Sequence, residues 1–295
     1  MKKLFTHILV PVDFNSGSEK LLEKAIQVAN CFDCDIHLLH VQTPSVVFPF
    51  VYEHNFLGSP VSGHGAEAAD QLKQLVVQSK PSLANGLLIT STVAAGSWYT
   101  MIKEHVITHH IDLVVMPHHE KKCPGEVLHK VDINQLAQET KCAVLTVTDD
   151  FDAAQMHTIV VPVDDFIPIK KLSAATYLAR KFGSVIHIMG NRSNSELDDR
   201  KKTRCLARVY QLLSDYANVK VYCSSEPAEL VAEDALAYAR NVKADLIVIN
   251  SGKESLLKGW FSKWMGKYLY KESNIPVLTI APSQQSKTPG EPGVV

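Results

Sequence analysis

A pair of doubly wound α/β units, each on a five-stranded parallel sheet, is the fold this sequence predicts. Three observations carry that prediction. Short runs of β-branched residues and leucine alternate with amphipathic helical runs. Four of those runs occur twice, in the same order. The chain has 295 residues, and at about 100–200 residues per domain that suits two units better than one.

The markers of the repeat are easily read. His7-Ile8-Leu9-Val10-Pro11-Val12-Asp13-Phe14 returns as Thr158-Ile159-Val160-Val161-Pro162-Val163-Asp164-Asp165-Phe166, 151 positions later. Ile36-His37-Leu38-Leu39-His40-Val41 returns as Ile186-His187-Ile188-Met189. Ile111 to Met116 returns as Ala244 to Ile249, and Cys142 to Val147 as Ile275 to Ile280, both offset by 133. The offset shortens because the first half carries extra residues around 43–65. Such runs are the pattern of strands buried on both faces. Between them, Leu21/Leu22, Ala25/Ile26 and Ala29 recur at helical spacing, as do Leu172, Ala175, Leu178/Ala179 and Phe182. Ser16 with Glu19 reads as a capping box for the first helix. A second helix follows at Leu72, Leu75 and Val76, matched by Leu206, Val209, Tyr210 and Leu213. Weaker strands at 87–93 and 219–223 and third helices at about 98–109 and 227–242 complete the alternation. Each half is expected to hold five strands and four helices, joined by right-handed crossovers.

Composition narrows the function. Hydrophobic residues make up 46% and charged residues 21%, enough apolar material for two buried cores. Lys and Arg number 30 against 31 Asp and Glu, a balance that gives no field toward nucleic acid or an anionic membrane. No apolar run approaches the ~20 residues of a membrane span. The charged start Met1-Lys2-Lys3 is followed by Pro11 and Asp13 rather than a cleavable apolar segment, so a cytoplasmic chain is expected. The six cysteines are too sparse for a disulfide scaffold. Cys31 and Cys34 form a CxxC, but it follows a helix instead of opening one, where the dipole opposes a thiolate. His105 and His109 stand four apart on one helical face, yet no Cys, Asp or Glu is spaced to complete a metal site, and none is assigned.

In a doubly wound sheet the ligand crevice opens at the carboxyl ends of the strands. Pro11, Val12, Asp13, Val41 and Met116 fall there in the first half, and Pro162, Val163 and Asp164 in the second. An aspartate that ends an apolar strand can accept hydrogen bonds from a ligand or can cap the next helix.

The ordered set of strand ends resembles the universal stress protein family in its tandem form. Those ends are Val-Pro-Val-Asp, Leu-His-Val, Asp-Leu-Val-Val or Asp-Leu-Ile-Val, and Ala-Val-Leu-Thr-Val or Pro-Val-Leu-Thr-Ile. The resemblance covers 4–148 and 156–281, with domains expected at 1–148 and 149–281 and a disordered tail at 282–295. It implies flavodoxin-like (Rossmann-like) sheets whose last strands pair as in a dimer, a pseudo-dimer within one chain that leaves room for a homodimer. In one branch it also implies ATP in the crevice, held by a loop with a glycine, two residues, a second glycine, nine residues, and a third glycine before Ser or Thr. Backbone amides reach phosphate there because no Cβ intervenes. Here those positions are Pro117, Glu120, Lys130 and Val131, and Asn250, Lys253, Lys263 and Trp264. All the glycines are gone.

Three segments remain. Lys253, Lys258, Lys263, Lys267 and Lys271 are a partial substitute for the lost glycines, since lysines can hold a phosphate. They surround a stripe of Trp260, Trp264 and Tyr268 that reads as a helix packed on the sheet or as a groove for a partner or membrane surface. Residues 44–52 are apolar for a loop and are expected to be covered. The tail reads as removable. With no catalytic set visible, the expectation is a non-enzymatic binding module for a small molecule or protein partner. Its alternatives are an adenine-nucleotide protein with slow ATPase activity and a metal-handling protein. Any adenine nucleotide is expected to bind weakly and in the first half, because Asp164 and Asp165 stand side by side in the second.

Overall fold

The computed structural model describes residues 3–15, 17–43, 63–118, 128, 131–192, 195–226, 231–251 and 273–281. The first half runs β1 (His7–Pro11), α1 (Ser18–Phe32), β2 (Asp35–Gln42), α2 (Gly63–Ser79), β3 (Ile89–Ala95), α3 (Trp98–Thr108), β4 (Leu113–Pro117), α4 (Ile133–Thr140) and β5 (Ala143–Val147). The second runs β6 (Thr158–Val163), α5 (Ile169–Phe182), β7 (Val185–Asn191), α6 (Glu196–Gln211), β8 (Val221–Glu226), α7 (Val231–Asn241), β9 (Leu246–Asn250) and β10 (Val277–Ile280). Among the described residues the first half shows its expected four α-helices. The fourth helix expected of the second half, with its tryptophans and lysines, falls outside the described residues, as do the 44–52 segment and the tail.

All ten strands form one sheet in the order β3-β2-β1-β4-β5-β10-β9-β6-β7-β8. Each half has the same order of strands, and all pairings are parallel except the one that joins the halves. There β5 and β10 run antiparallel, with Thr146 opposite Val277, Leu145 opposite Leu278 and Val144 opposite Thr279. The Thr146 hydroxyl adds a hydrogen bond to the Val277 carbonyl at 3.3 Å. Two strands that would each be an exposed edge close one another.

The core follows from that junction. The sequence suggested two cores, and there are two, but they are divided by the faces of the sheet. Ile8, Val10, Ile36, Leu145, Ile159, Val161, Leu278 and the apolar faces of α1, α2, α5 and α6 form one. Leu9, Leu39, Val114, Val144, Val160, Val277 and residues of α3, α4 and α7 form the other. Each core crosses the junction. On the first face Phe32 of α1 stacks on Tyr177 of α5, centroids 6.2 Å apart.

The recurrent strand motifs have identifiable duties. Asp112, ahead of β4, accepts hydrogen bonds from the backbone amides of Thr6 at 2.8 Å and His7 at 3.1 Å. Asp245 repeats this with the amides of His157 at 2.9 Å and Thr158 at 2.8 Å. These aspartates tie the start of one strand to its neighbour. The prolines do the reverse. The β1–β4 ladder stops at Leu9–Val114 and the β6–β9 ladder at Val160–Ile247. Pro11 and Pro162 follow within two residues, where a missing amide hydrogen leaves no ladder bond unmade. The other edge keeps pairing, through Val12 N–H to the Leu39 carbonyl at 2.9 Å and the Val163–Gly190 pair. The strands part there, and the crevices open.

Gly17, not Ser16, stands at the N-cap of α1, and it makes no side-chain cap bond. The helix begins at Ser18, too late for a box on Ser16, which lies outside the described residues.

A charge at the junction should be costly. Leu278→Asp puts an unpaired carboxylate at a site 2% exposed, and we expect a loss of about 3 kcal/mol or more in urea unfolding. Val77→Glu, at a site 67% exposed, should stay within about 0.5 kcal/mol.

Candidate functional site

Two grooves lie at the carboxyl ends of the strands, one in each half. The first, about 540 Å³, runs between the β1–α1 loop and α2 and is lined by Phe14, Asn15, Ser18, Glu19, Leu75 and the amides Gln71, Gln74 and Gln78. The second, about 500 Å³, runs between the β6–α5 loop and α6 and is lined by Asp165, Phe166, Ile167, Leu197, Cys205 and the cations Arg200, Lys201, Arg204 and Arg208. Both volumes suit a small molecule, for which roughly 300–1,000 Å³ is usual. The grooves occupy corresponding places but differ in charge. Where α2 presents amides three and four apart, α6 presents guanidinium groups four apart.

The strand-end residues support these grooves and do not line them. Pro11, Val12, Val41, Met116, Pro162 and Val163 are buried, Val12 and Val163 in one core and Val41 and Met116 in the other. Asp13 is half-buried and turns inward. It accepts from the Asn15 amide at 3.2 Å, the Asn15 side chain at 2.8 Å and the Ser18 hydroxyl at 2.9 Å. Those bonds shape the β1–α1 loop and tie it to the first residue of α1. Beside it His40 Nδ1 meets the Val12 carbonyl at 2.7 Å. The His40 ring lies 4.5 Å from Phe14 and 5.8 Å, edge-on, from Trp98.

The second half uses its aspartates differently. Lys202 approaches Asp164 at 3.2 Å, and Lys201 approaches Asp165 at 2.7 Å. Burial raises the Asp164 carboxyl above its ordinary pKa, and Lys202 opposes the rise. Below them Lys171, fully buried, donates to the Pro162 carbonyl at 2.5 Å. Burial lowers this ammonium to about 7, against the pull of Asp164. The adjacent carboxylates on which the sequence-based expectation for this half rested each have a lysine partner, and the groove wall beside them is cationic. At the end of β9, Asn250 Nδ2 and Ser251 Oγ are buried without hydrogen-bond partners among the described residues.

With this geometry in place, comparison with known proteins assigns the first half. Residues 4–148 match the universal stress protein family. That half belongs to the family. Among solved structures, a universal stress protein from Archaeoglobus fulgidus DSM 4304 is similar over 95% of this chain and 99% of its own, with 17% identity and a TM-score of 0.71. A functionally unknown protein from Pseudomonas aeruginosa PAO1 is similar over 94% of this chain and 93% of its own, with 15% identity and a TM-score of 0.58. At these identities the likeness is one of fold, and it spans both halves. No curated protein matches the chain.

The fold also shows where the cysteines and histidines lie. The α1 helix runs on to Phe32, so Cys31 sits in its last turn. Burial raises both thiols of the CxxC, Cys34 to about 12, and holds them protonated. For His105 and His109, a third histidine lies within reach: His37 of β2 is beside both. The sequence also passed over the arginine series on α6. Its spacing of four was visible, but only the packing of α6 beside the β6–α5 loop places it on a groove.

The buried lysine gives a pH signature. Its folded pKa, about 7, lies below the unfolded value of about 10.4. The unfolded state therefore binds the extra proton between those values, and stability from this group rises with pH across that window. Below pH 7 the burial penalty is present in full. Lys171→Met should gain more over the natural protein at pH 6.5 than at pH 9.5, by about 1 kcal/mol or more in urea unfolding. A gap that does not change with pH would contradict the assignment.

Proposed function

We propose that the chain is a tandem universal stress protein, with domains at 1–148 and 149–281, that serves as a non-enzymatic, cytoplasmic binding module in a stress response. Its partner is a small-molecule ligand or a protein. The observation that carries this reading is Pro117. It stands where a phosphate-cradling loop would begin, yet it still pairs within the sheet, opposite Val147, and it has no amide hydrogen to give. In the second half Asn250 holds the matching place, also inside a ladder, opposite Ile280. No helix among the described residues is long and apolar enough to cross a membrane.

An adenine nucleotide, on this reading, binds weakly in the first half through base and ribose. The Phe14 ring and the Gln71, Gln74 and Gln78 amides offer a stacking face and neutral hydrogen-bonding groups, with no cation among the lining residues. The phosphate chain adds little there. AMP and ATP should then differ by less than tenfold in Kd, about 1.4 kcal/mol, in calorimetric titration.

A second reading rests on the other groove. The arginines of α6 favour an anionic ligand, as a nucleotide-binding protein with slow ATP turnover would require. ATP binding more than tenfold tighter than AMP, and losing that advantage in Arg204→Gln, would replace the first reading with the second.

A further inference from the structure

Four histidines of the first half gather at the end of the sheet opposite the grooves. His7 opens β1 and His37 lies near the start of β2, one strand over. Both fall at the positions of their strands that share a face with Leu9 and Leu39, and so face α3. In a parallel α/β unit the crossover helix runs back against the strands, so the last turn of α3 reaches the same end. His105 lies in that turn and His109 is its C-cap. The ring centroids of His105 and His109 are 4.1 Å apart, and those of His37 lie 5.8 Å and 5.5 Å from them. One ring nitrogen from each of the three falls within 4.8 Å of the others.

We propose that His37, His105 and His109 form a binding site for one divalent transition-metal ion of the imidazole-preferring class, for which Zn²⁺ is the natural probe. Two features support it. His105 is only 7% exposed, and its Nε2 is buried with no hydrogen-bond partner among the described residues. A buried polar atom left unpaired is costly unless a ligand takes it up. Secondly, the C-terminal end of α3 carries the negative pole of its helix dipole, which favours a cation at that end.

The geometry needs only a small closure. Tetrahedral ligands at the usual Zn–N distance stand roughly 3.3 Å apart. His105 is fixed by burial and His37 by its strand, where Thr90 Oγ1 lies 3.3 Å from His37 Nδ1. His109 is exposed and can swing inward. Three protein ligands leave the fourth position to water, the arrangement of an open site rather than a closed structural one. His7 packs edge-on against His37 at 5.7 Å and brings a second buried, unpartnered nitrogen, Nδ1, next to the cluster. The carboxylates of Asp112 and Asp35 are engaged with backbone amides of Thr6 and Leu88. Imidazole alone suits Zn²⁺, Cu²⁺, Ni²⁺ or Co²⁺ and does not suit Mg²⁺ or Ca²⁺.

The test uses the full, untagged chain, stripped with a chelator and titrated with Zn²⁺ against a competing indicator. We expect one saturable equivalent, not displaced by excess Mg²⁺. His109→Gln and His37→Gln should each weaken it more than tenfold, a loss that even outer-shell changes at metal sites can reach. His157→Gln, on the second half, should leave it unchanged. His109 is exposed, so its replacement keeps the fold, which circular dichroism checks. Co²⁺ in the same protein should show visible ligand-field bands without a thiolate charge-transfer band. No saturable Zn²⁺ binding, binding unchanged in both His109→Gln and His37→Gln, or a thiolate band that places the ion on a cysteine would each overturn the site.

Discussion

The antiparallel pairing of β5 with β10 is the interaction on which the rest of the structure depends. Every other ladder in the sheet is parallel and lies within one half. This one is short, three residue pairs between β10 and β5, yet it turns two apolar edges into the centre of a ten-stranded sheet. Both cores then run through it. Leu145 and Leu278 belong to one, and Val144 and Val277 to the other. The short strands are buried along their whole length, so the junction is stabilised by apolar burial on two sides as well as by its ladder.

Once the halves are joined this way, duplication no longer requires equal function. The sheet ends repeat faithfully. The proline that frees an edge, the aspartate that ties neighbouring strands and the aspartate after the first strand are present in both halves. The surfaces laid over them have diverged. Asp13 is spent on its own loop, whereas Asp164 is paired with Lys202 and stands above a buried lysine. A groove walled by glutamines faces a different range of ligands from one walled by arginines, although the backbone beneath is the same.

The fold was legible in the sequence because the constraint that fixes it is local and repeated. A strand buried on both faces must be apolar throughout, so the four marker runs announce themselves twice, and their order leaves a doubly wound sheet as the natural solution. The position of the crevice was legible for the same reason. What Asp13 does was not. Loop shaping and ligand binding ask for the same residue at the same place, and the bonds of Asp13 to Asn15 and Ser18 show only in the structure. The charge around the second groove was not legible because Lys201 and Lys202 lie 36 or more residues from the aspartates they pair with. His37 was hidden in a run that reads as core strand. Its meeting with His105 and His109 depends on the return of α3 across the sheet, which no spacing in the sequence records.

The central claim, that β5 and β10 are interior strands of one sheet, is tested most directly by native-state hydrogen exchange. The amides of Val144 to Thr146 and Val277 to Thr279 should be among the slowest in the protein and should exchange with the same opening free energy, since neither strand can lose its partner alone. If the β5 amides exchange like those of a free edge, orders of magnitude faster than the amides of β1 and β4, the two halves are not joined as described.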